Sequence, residues 1–424
     1  MQQYPLTQFG DAPITLAVPE EDAALQQLLH DVPRIAAIFL IDVGEGQSPY
    51  LARTANLQTR LKRLLGRPKE GTRTLSLQGL ARAVHYWPNR NALASALLLW
   101  ELARPLYPAR YKRMLGLRPL HFVSLLADDP FPRVVATRRP ADERFAFGPF
   151  LRRGDAESFL DNVLPLFLLR RCDETLQPSP SHAGCIYGEM ALCLRPCQDL
   201  TVGERYQQES ETFQLFLQSS GESLKEQIEL ERDQASESMD FEAAARHHKR
   251  LTRLSAAFAS GNRLARHLPA FHGFAVAPKA PLVDGPLAAE PSAAPPDAPL
   301  GSSNPDPDTD QNPAPLEVEV WPVWNGCVLP SFCFQPDTIT ASALSALVQQ
   351  SKVNLRDHCK ETKQELLTVL LRWIQSSWCD GEWLPVDDLE RPPLRKLRNA
   401  ALRLVRDQHG AGTKDPETPD KTGG

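Results

Sequence analysis

An α+β fold with a helical hairpin inserted is the class this sequence predicts, and three changes of texture along the chain predict it. Ile35 to Ile41 is an apolar, partly β-branched run, followed by a turn signal at Gly44 to Gln47 and a second short stretch from Pro49 to Ala52. After Asp199 the apolar residues recur at steps of three and four, the period of helices. Beyond a proline-dense segment the pattern returns to strands and then helices. The chain divides accordingly into a small α/β domain at 31–118, a cysteine-rich region at 119–200, a helical hairpin at 203–260, a disordered proline-rich linker at 276–316 and a small α+β C-terminal region at 317–410.

Each element has a local reason. Asn56 can cap a helix that carries Leu57, Leu61, Leu64 and Leu65 on one face. A second amphipathic helix runs from Asn91 to Arg104, and Val134 to Thr137 reads as a short strand. One long helix is expected from Gly203 to Ala235, with Phe213, Leu217, Leu224 and Ile228 on a single face. A short interruption from Ser236 to Asp240 then leads into a second helix bearing Phe241, Ala244, His248, Leu251, Leu254 and Phe258. From Val276 to Pro315, proline mixed with Ala, Asp, Ser and Gly favours an extended, unpaired chain. Val318 to Trp324 and Cys327 to Phe334, joined by Asn325 and Gly326, predict a β-hairpin. Helices follow at 340–352, 355–377 and 392–407, the last one basic.

A chain of 424 residues with 42% apolar and 23% charged content has the composition of a soluble globular protein with two or three cores. The first thirty residues lack an apolar core segment, and no apolar run is long enough to span a bilayer, so the expectation is a cytoplasmic protein with no membrane partner. A net charge of -5 gives no global field attracting a polyanion. Basic residues are nevertheless concentrated at Arg60–Arg73, Arg104–Arg118 and Arg391–Arg406. Four of the eight cysteines, Cys172, Cys185, Cys193 and Cys197, fall in one segment with spacing C-x12-C-x7-C-x3-C. In a reducing compartment that clustering points to a metal or redox site, and four thiolates complete the ligand set of either tetrahedral zinc or a 4Fe–4S cluster. Spacing alone does not choose between them, and four reduced thiols are the third reading.

Three stretches, in order, resemble the UvrC family of bacterial excision-repair nucleases. Ala37, Ile38, Phe39 and Leu40 stand where its GIY-YIG nuclease domain has Gly-Val-Tyr-Leu, and Tyr50 to Leu57 stands for Tyr-Val-Gly-Lys-Ala-x-Asn-Leu. Arg60 takes the helix arginine, Ser95 to Trp100 the Glu-Ala-Leu-Leu-Leu-Glu helix, and Ala109, Arg110 and Tyr111 its Pro-Arg-Tyr. Phe147 to Phe150 resembles Phe-Gly-Pro-Tyr, and the residues flanking the four cysteines agree with that family's cysteine region. Ala235 to Leu254 resembles its UVR motif.

The resemblance implies a degenerate GIY-YIG site. Tyr50 and Arg60 remain, while Phe39 lacks a tyrosine hydroxyl and Ser95 replaces the glutamate that holds a divalent metal. Glu101 is six residues further, roughly 240° round an ideal helix, and cannot substitute from the same face. The resemblance also implies DNA contacts by Arg53, Arg60, Arg110 and Lys112, a 4Fe–4S cluster (alternatively zinc) on the four cysteines, and docking to UvrB. For that docking Phe241, Glu242, Ala244, Ala245 and Leu251 carry the motif, while His248 and Lys249 stand in place of its Arg-Asp pair. Only the strand-rich start of the family's RNase H-like domain is matched, at Val318 to Phe334. The function this implies is a nucleotide-excision-repair protein binding DNA and UvrB without GIY-YIG incision. An active excinuclease-type endonuclease is the alternative, and a cysteine-cluster DNA-binding or redox-sensing module is the third reading.

Overall fold

The computed structural model describes residues 9–410 apart from 45, 68–74, 261–263, 280–316, 354–359 and 390. Most of the proline-rich segment, the tail after Gly410, and Asp357 and His358 thus lie outside the described residues. The N-terminal unit comprises β1 (Ile14–Ala17), α1 (Asp22–Asp31), β2 (Ala37–Asp42), β3 (Tyr50–Thr54), α2 (Leu57–Leu65), β4 (Ala83–Pro88), α3 (Ala92–Leu106) and the single turn α4 (Tyr111–Met114). Its antiparallel sheet has the order β1-β4-β2-β3. The pleat sorts β2 by parity: Ala37, Phe39 and Ile41 face the leucines of α1 and α2, while Ile38 and Leu40 face α3. Both faces are covered, which is why the strand reads as a continuous apolar run. Asn56 caps α2 by accepting from Thr59 N at 2.9 Å, and Asn91 caps α3 by accepting from Ala94 N at 2.7 Å.

The middle unit holds β5 (His121–Leu126), β6 (Arg133–Thr137), β7 (Ala146–Phe150), α5 (Arg153–Val163), the short α6 (Ile186–Glu189), α7 (Gly203–Gln218), α8 (Glu222–Glu237), α9 (Phe241–Ser260) and β8 (Arg266–His267). Its sheet runs β6-β5-β7-β8. Val123, Leu125 and Phe150 of the sheet pack with Phe213, Phe216, Leu224 and Leu254 of the helices, and the Phe147 and Phe159 rings stack at 4.9 Å. The single helix expected from Gly203 to Ala235 is in fact two. The chain turns at Ser220 (φ 53°) and Gly221 (φ 95°), and this break starts α8, which forms a hairpin with α9 while Leu224 and Ile228 stay in the core.

The C-terminal unit is β9 (Gly273–Pro278), β10 (Val318–Trp324), β11 (Cys327–Val328), β12 (Phe332–Phe334), α10 (Ala341–Val353), α11 (Lys360–Gln375), β13 (Glu382–Pro385) and α12 (Leu394–Gly410). The strands lie in the order β11-β10-β9-β13, with β12 also pairing β10. Asn325 and Gly326 both take positive φ, 50° and 74°, as a primed hairpin turn requires. Val276 to Pro278, expected at the start of the linker, are strand residues. β9 lies between β10 and β13 and is buried along its whole length, a pairing partner that local composition does not reveal.

The N- and C-terminal units share one core. Trp87, Leu93 and Leu97 pack with Leu366, Leu370 and Trp373 of α11 and with Trp321 and Val323 of β10. The opposite face of the C-terminal sheet (Phe274, Val276, Val318, Val320) is closed by α10 and α12. Among the described residues no helix is long and apolar enough to cross a membrane.

Candidate functional site

Tyr50 opens β3 and Arg60 lies one turn into α2, so strand and helix bring them together. Arg60 Nη2 donates to Tyr50 Oη at 2.7 Å, and Arg60 Nε is buried without a partner. The Phe39 ring lies 5.9 Å from the Tyr50 ring. Ser95 is not part of this group. It is buried on α3, where its hydroxyl donates to Asn91 O at 2.7 Å, and it lines a small cavity with Ile38 and Trp87 on the other side of the sheet. Glu101 is engaged elsewhere, accepting from Phe9 N at 3.0 Å. The site therefore offers a guanidinium and a phenol, a pair suited to binding an anion.

The other three basic residues expected on DNA have separate surroundings. Arg53 alternates with Tyr50 along β3 and faces the α3 side, where its charge bears on Asp380. Arg110 stacks over the Tyr107 ring at 4.4 Å. Lys112 is ion-paired to Glu365 of α11 at 2.9 Å, and that carboxylate also accepts from Tyr111 Oη and Trp100 Nε1.

Cys172, Cys185, Cys193 and Cys197 line one small pocket, brought together by the loop before α6 and the tight turns after it, where Ala191 and Arg195 take positive φ. All four are free thiols, and among the described residues no three His, Cys, Asp or Glu side chains are gathered closely enough to grip a single ion. Burial pushes the Cys193 and Cys197 thiols up, and the neighbouring cysteines push them further. Two arginines that no sequence motif singles out share the pocket. Arg170, 1% exposed, is fixed by Asp129 and the carbonyls of Phe131, Cys172 and Glu174, and reaches Cys172 Sγ at 3.6 Å. Arg171 lies over the Tyr187 ring, with Nε and Nη2 buried and unpartnered. Arg195 N donates to Cys193 Sγ at 3.4 Å. Tyr206 of α7 ties the segment to the core, donating to Pro132 O at 2.7 Å and accepting from Arg170 N at 2.9 Å. The one sequence signal for the two arginines is their position directly before Cys172. The pocket holds the donor types of a tetrathiolate centre, beside a guanidinium that thiolate charge would satisfy, but its four thiols are not gathered to the spacing of a metal's ligands.

In the hairpin, Asp240 caps α9 through Ala243 N at 2.9 Å, and Arg250 pairs with Glu231 across the two helices at 2.9 Å. Phe241 is 71% exposed and Met239 76%, while Glu242 and Ala245 are also exposed. Ala244 is half-buried. Leu251 packs inward beside Leu254, so it belongs to the chain's own core more than to a docking face.

Residues 121–216 match the family described as UvrC/Cho excinuclease, middle domain, and residues 222–257 match the UvrB/uvrC motif. The cysteine pocket and the hairpin thus sit in segments that match a UvrC-type middle domain and the UvrB/uvrC motif. It is similar to the UvrABC system protein C of Rhodospirillum rubrum, 25% identical over 58% of this chain and 38% of that protein. The counterpart from Haemophilus influenzae is 25% identical over 53% and 37%, and that from Xanthomonas campestris pv. campestris is 30% identical over 43% and 29%. The chain spans at most about two fifths of the length of these relatives. No solved structure matches it.

Proposed function

We propose that this chain is a cytoplasmic nucleotide-excision-repair protein that binds DNA and UvrB and lacks the incision chemistry of its N-terminal unit, here read as a GIY-YIG-type domain. The observation that carries the proposal is the separation of Ser95, which stands where the resemblance puts the metal-holding glutamate, from the Tyr50–Arg60 pair on the other face of the sheet. Hydrolysis of a phosphodiester on this plan needs an anionic ligand to hold a metal that activates water. Arg60 and Tyr50 are left able to hold a phosphate and orient it. The exposed tip of the hairpin, with Phe241, Glu242 and Ala245, presents a helical face for a second helical hairpin. Cys172, Cys185, Cys193 and Cys197 would hold a 4Fe–4S cluster, with zinc as the alternative. Such a group would supply a redox-active or purely structural anionic centre, and Arg170 and Arg171 balance its charge.

A second reading, an excinuclease-type endonuclease, is favoured by one observation, the intact Arg60–Tyr50 hydrogen bond. The two are separated by a magnesium- and manganese-dependent nicking assay on a damaged duplex with UvrB loaded, using wild type, Arg60→Ala and Tyr50→Phe. The expected result is no incision above background and UvrB-dependent retention on DNA, weakened by Arg60→Ala. Incision abolished by Arg60→Ala would establish the endonuclease instead.

A further inference from the structure

A roomy cavity lies away from the Tyr50–Arg60 pair and the cysteines. It is a groove of about 960 Å³ where all three units meet, walled by the α4–β5 connection, the end of β6 with the residues after it, and α11. Four cations line it: Lys112, Arg118, Arg138 and Arg139. Its two carboxylates are both occupied, Glu365 by Lys112 at 2.9 Å and Glu143 by Lys363 at 2.6 Å. Arg118, Arg138 and Arg139 are exposed, and among the described residues none of them has an ion pair to a carboxylate. Arg138 Nε donates to His121 Nε2 at 3.4 Å, and burial together with Arg138 lowers the pKa of that imidazole, so it adds no charge of its own near neutral pH.

We infer that this groove is a second DNA contact and takes the phosphodiester backbone of a duplex without reading its sequence. The inference rests on reading the chain as a DNA binder and goes beyond it in assigning a site that no matched segment contains whole, since α11 lies outside residues 121–216 and 222–257. Three arginine forks with no carboxylate partner suit phosphate oxygens, which accept two parallel N–H bonds. Among the described residues no aromatic ring lines the groove, so it offers no platform for stacking unpaired bases. What it does offer is charge over an apolar floor of Leu117, Leu120 and Ala136. With the chain at net charge -5, attraction for a polyanion must come from such a local rim.

The test is fluorescence anisotropy of the full chain on a labelled duplex of arbitrary sequence across a salt series. Wild type is compared with Arg118→Ser/Arg138→Ser/Arg139→Ser, with the matching triple Lys variant, and with Arg60→Ala. The Ser variant should bind about tenfold or more weakly near physiological salt. Its slope of log K against log salt should be shallower by about one to three, near 0.9 for each phosphate that the variant no longer neutralises. The triple Lys variant should recover the slope, and thermal midpoints should be unchanged because the side chains are exposed. An unchanged affinity and slope in the Ser variant, with Arg60→Ala weakened, would overturn this inference alone. Failure of wild type to bind any duplex would overturn it together with the DNA-binding reading. Tighter binding of a single strand, or equal competition by polyglutamate, would overturn the duplex assignment.

Discussion

Arg171 is the residue whose position most needs explaining. A guanidinium with Nε and Nη2 buried and unpartnered costs on the order of 1–3 kcal/mol for each unsatisfied group in a protein whose cysteines carry nothing. That cost is offset if four thiolates and their metal make the pocket anionic. The expectation is therefore asymmetric. Arg171→Met should leave the metal-free protein as stable as wild type or more stable by up to about 2 kcal/mol, because it removes orphaned donors and keeps the volume. The same change should lower the stability gained on iron or zinc reconstitution, since binding to the folded state is stabilisation. Thermal melts of both proteins, with chelator and after reconstitution, give the four values needed. An equal loss in both forms would make Arg171 a plain packing residue. The four cysteines are legible in the sequence because their spacing survives there. The arginines are not, because nothing in the letters says which cation is denied a carboxylate once the chain has folded.

At the scale of elements, the strands and helices whose signals are local are legible in the sequence, and those set by distant partners are not. Asn56 caps where the sequence places it, the helix expected from Asn91 begins beside it with Asn91 as its cap, and Asn325–Gly326 turns as its φ requirement dictates. Periodicity joins Gly203 to Ala235 into one helix because apolar spacing continues in phase across Gly221, while the chain does not. Gly221 sits at φ 95°, and a Cβ there would fall 2.6 Å from the Phe258 ring of α9. Gly221→Ala should therefore cost about 2–4 kcal/mol, combining left-handed backbone strain with displacement of a packed ring. Equilibrium denaturation with urea measures it. A cost below about 1 kcal/mol would mean that α7 and α8 can straighten into the single helix that periodicity suggests. β9 escapes a local reading for another reason: its partners β10 and β13 lie across the proline-rich segment and beyond α11.

For the whole molecule the main consequence of folding is that the C-terminal unit is not a separate appendage. Three of its carboxylates face donors of the N-terminal unit. Glu319, fully buried on β10, meets Arg90 Nη2 at 2.9 Å and Asn91 Nδ2 at 2.9 Å. Asp380 accepts from Ala92 N in the first turn of α3 at 2.6 Å, and Glu365 pairs with Lys112. A helix whose N-terminus is capped from nearly three hundred residues away cannot be recognised as such in sequence, where Asp380 looks like a stray acid in a turn. Burial pushes the carboxyls of Asp380 and Glu319 above their ordinary values of 3.8 and 4.5, outweighing Arg53 near the first and Arg90 beside the second. A carboxyl with a raised folded pKa binds its proton more tightly folded than unfolded, so its contribution to stability is present at low pH and is lost as pH rises through the folded value. Acidification towards the ordinary carboxyl values should thus strengthen the contact between the N- and C-terminal units, the reverse of the usual effect of salt-bridged acids. Asp380→Asn keeps one acceptor for Ala92 N and removes the titration, so its thermal midpoint should vary less with pH than wild type. Glu319→Gln should flatten the profile in the same sense, while leaving Arg90 without its buried charge partner and lowering the midpoint throughout. A wild-type midpoint that falls on acidification, and falls less in Asp380→Asn, would mean that Arg53 and the donors Ala92 N and Trp373 Nε1 outweigh burial and that the contact is held by ionised carboxylates.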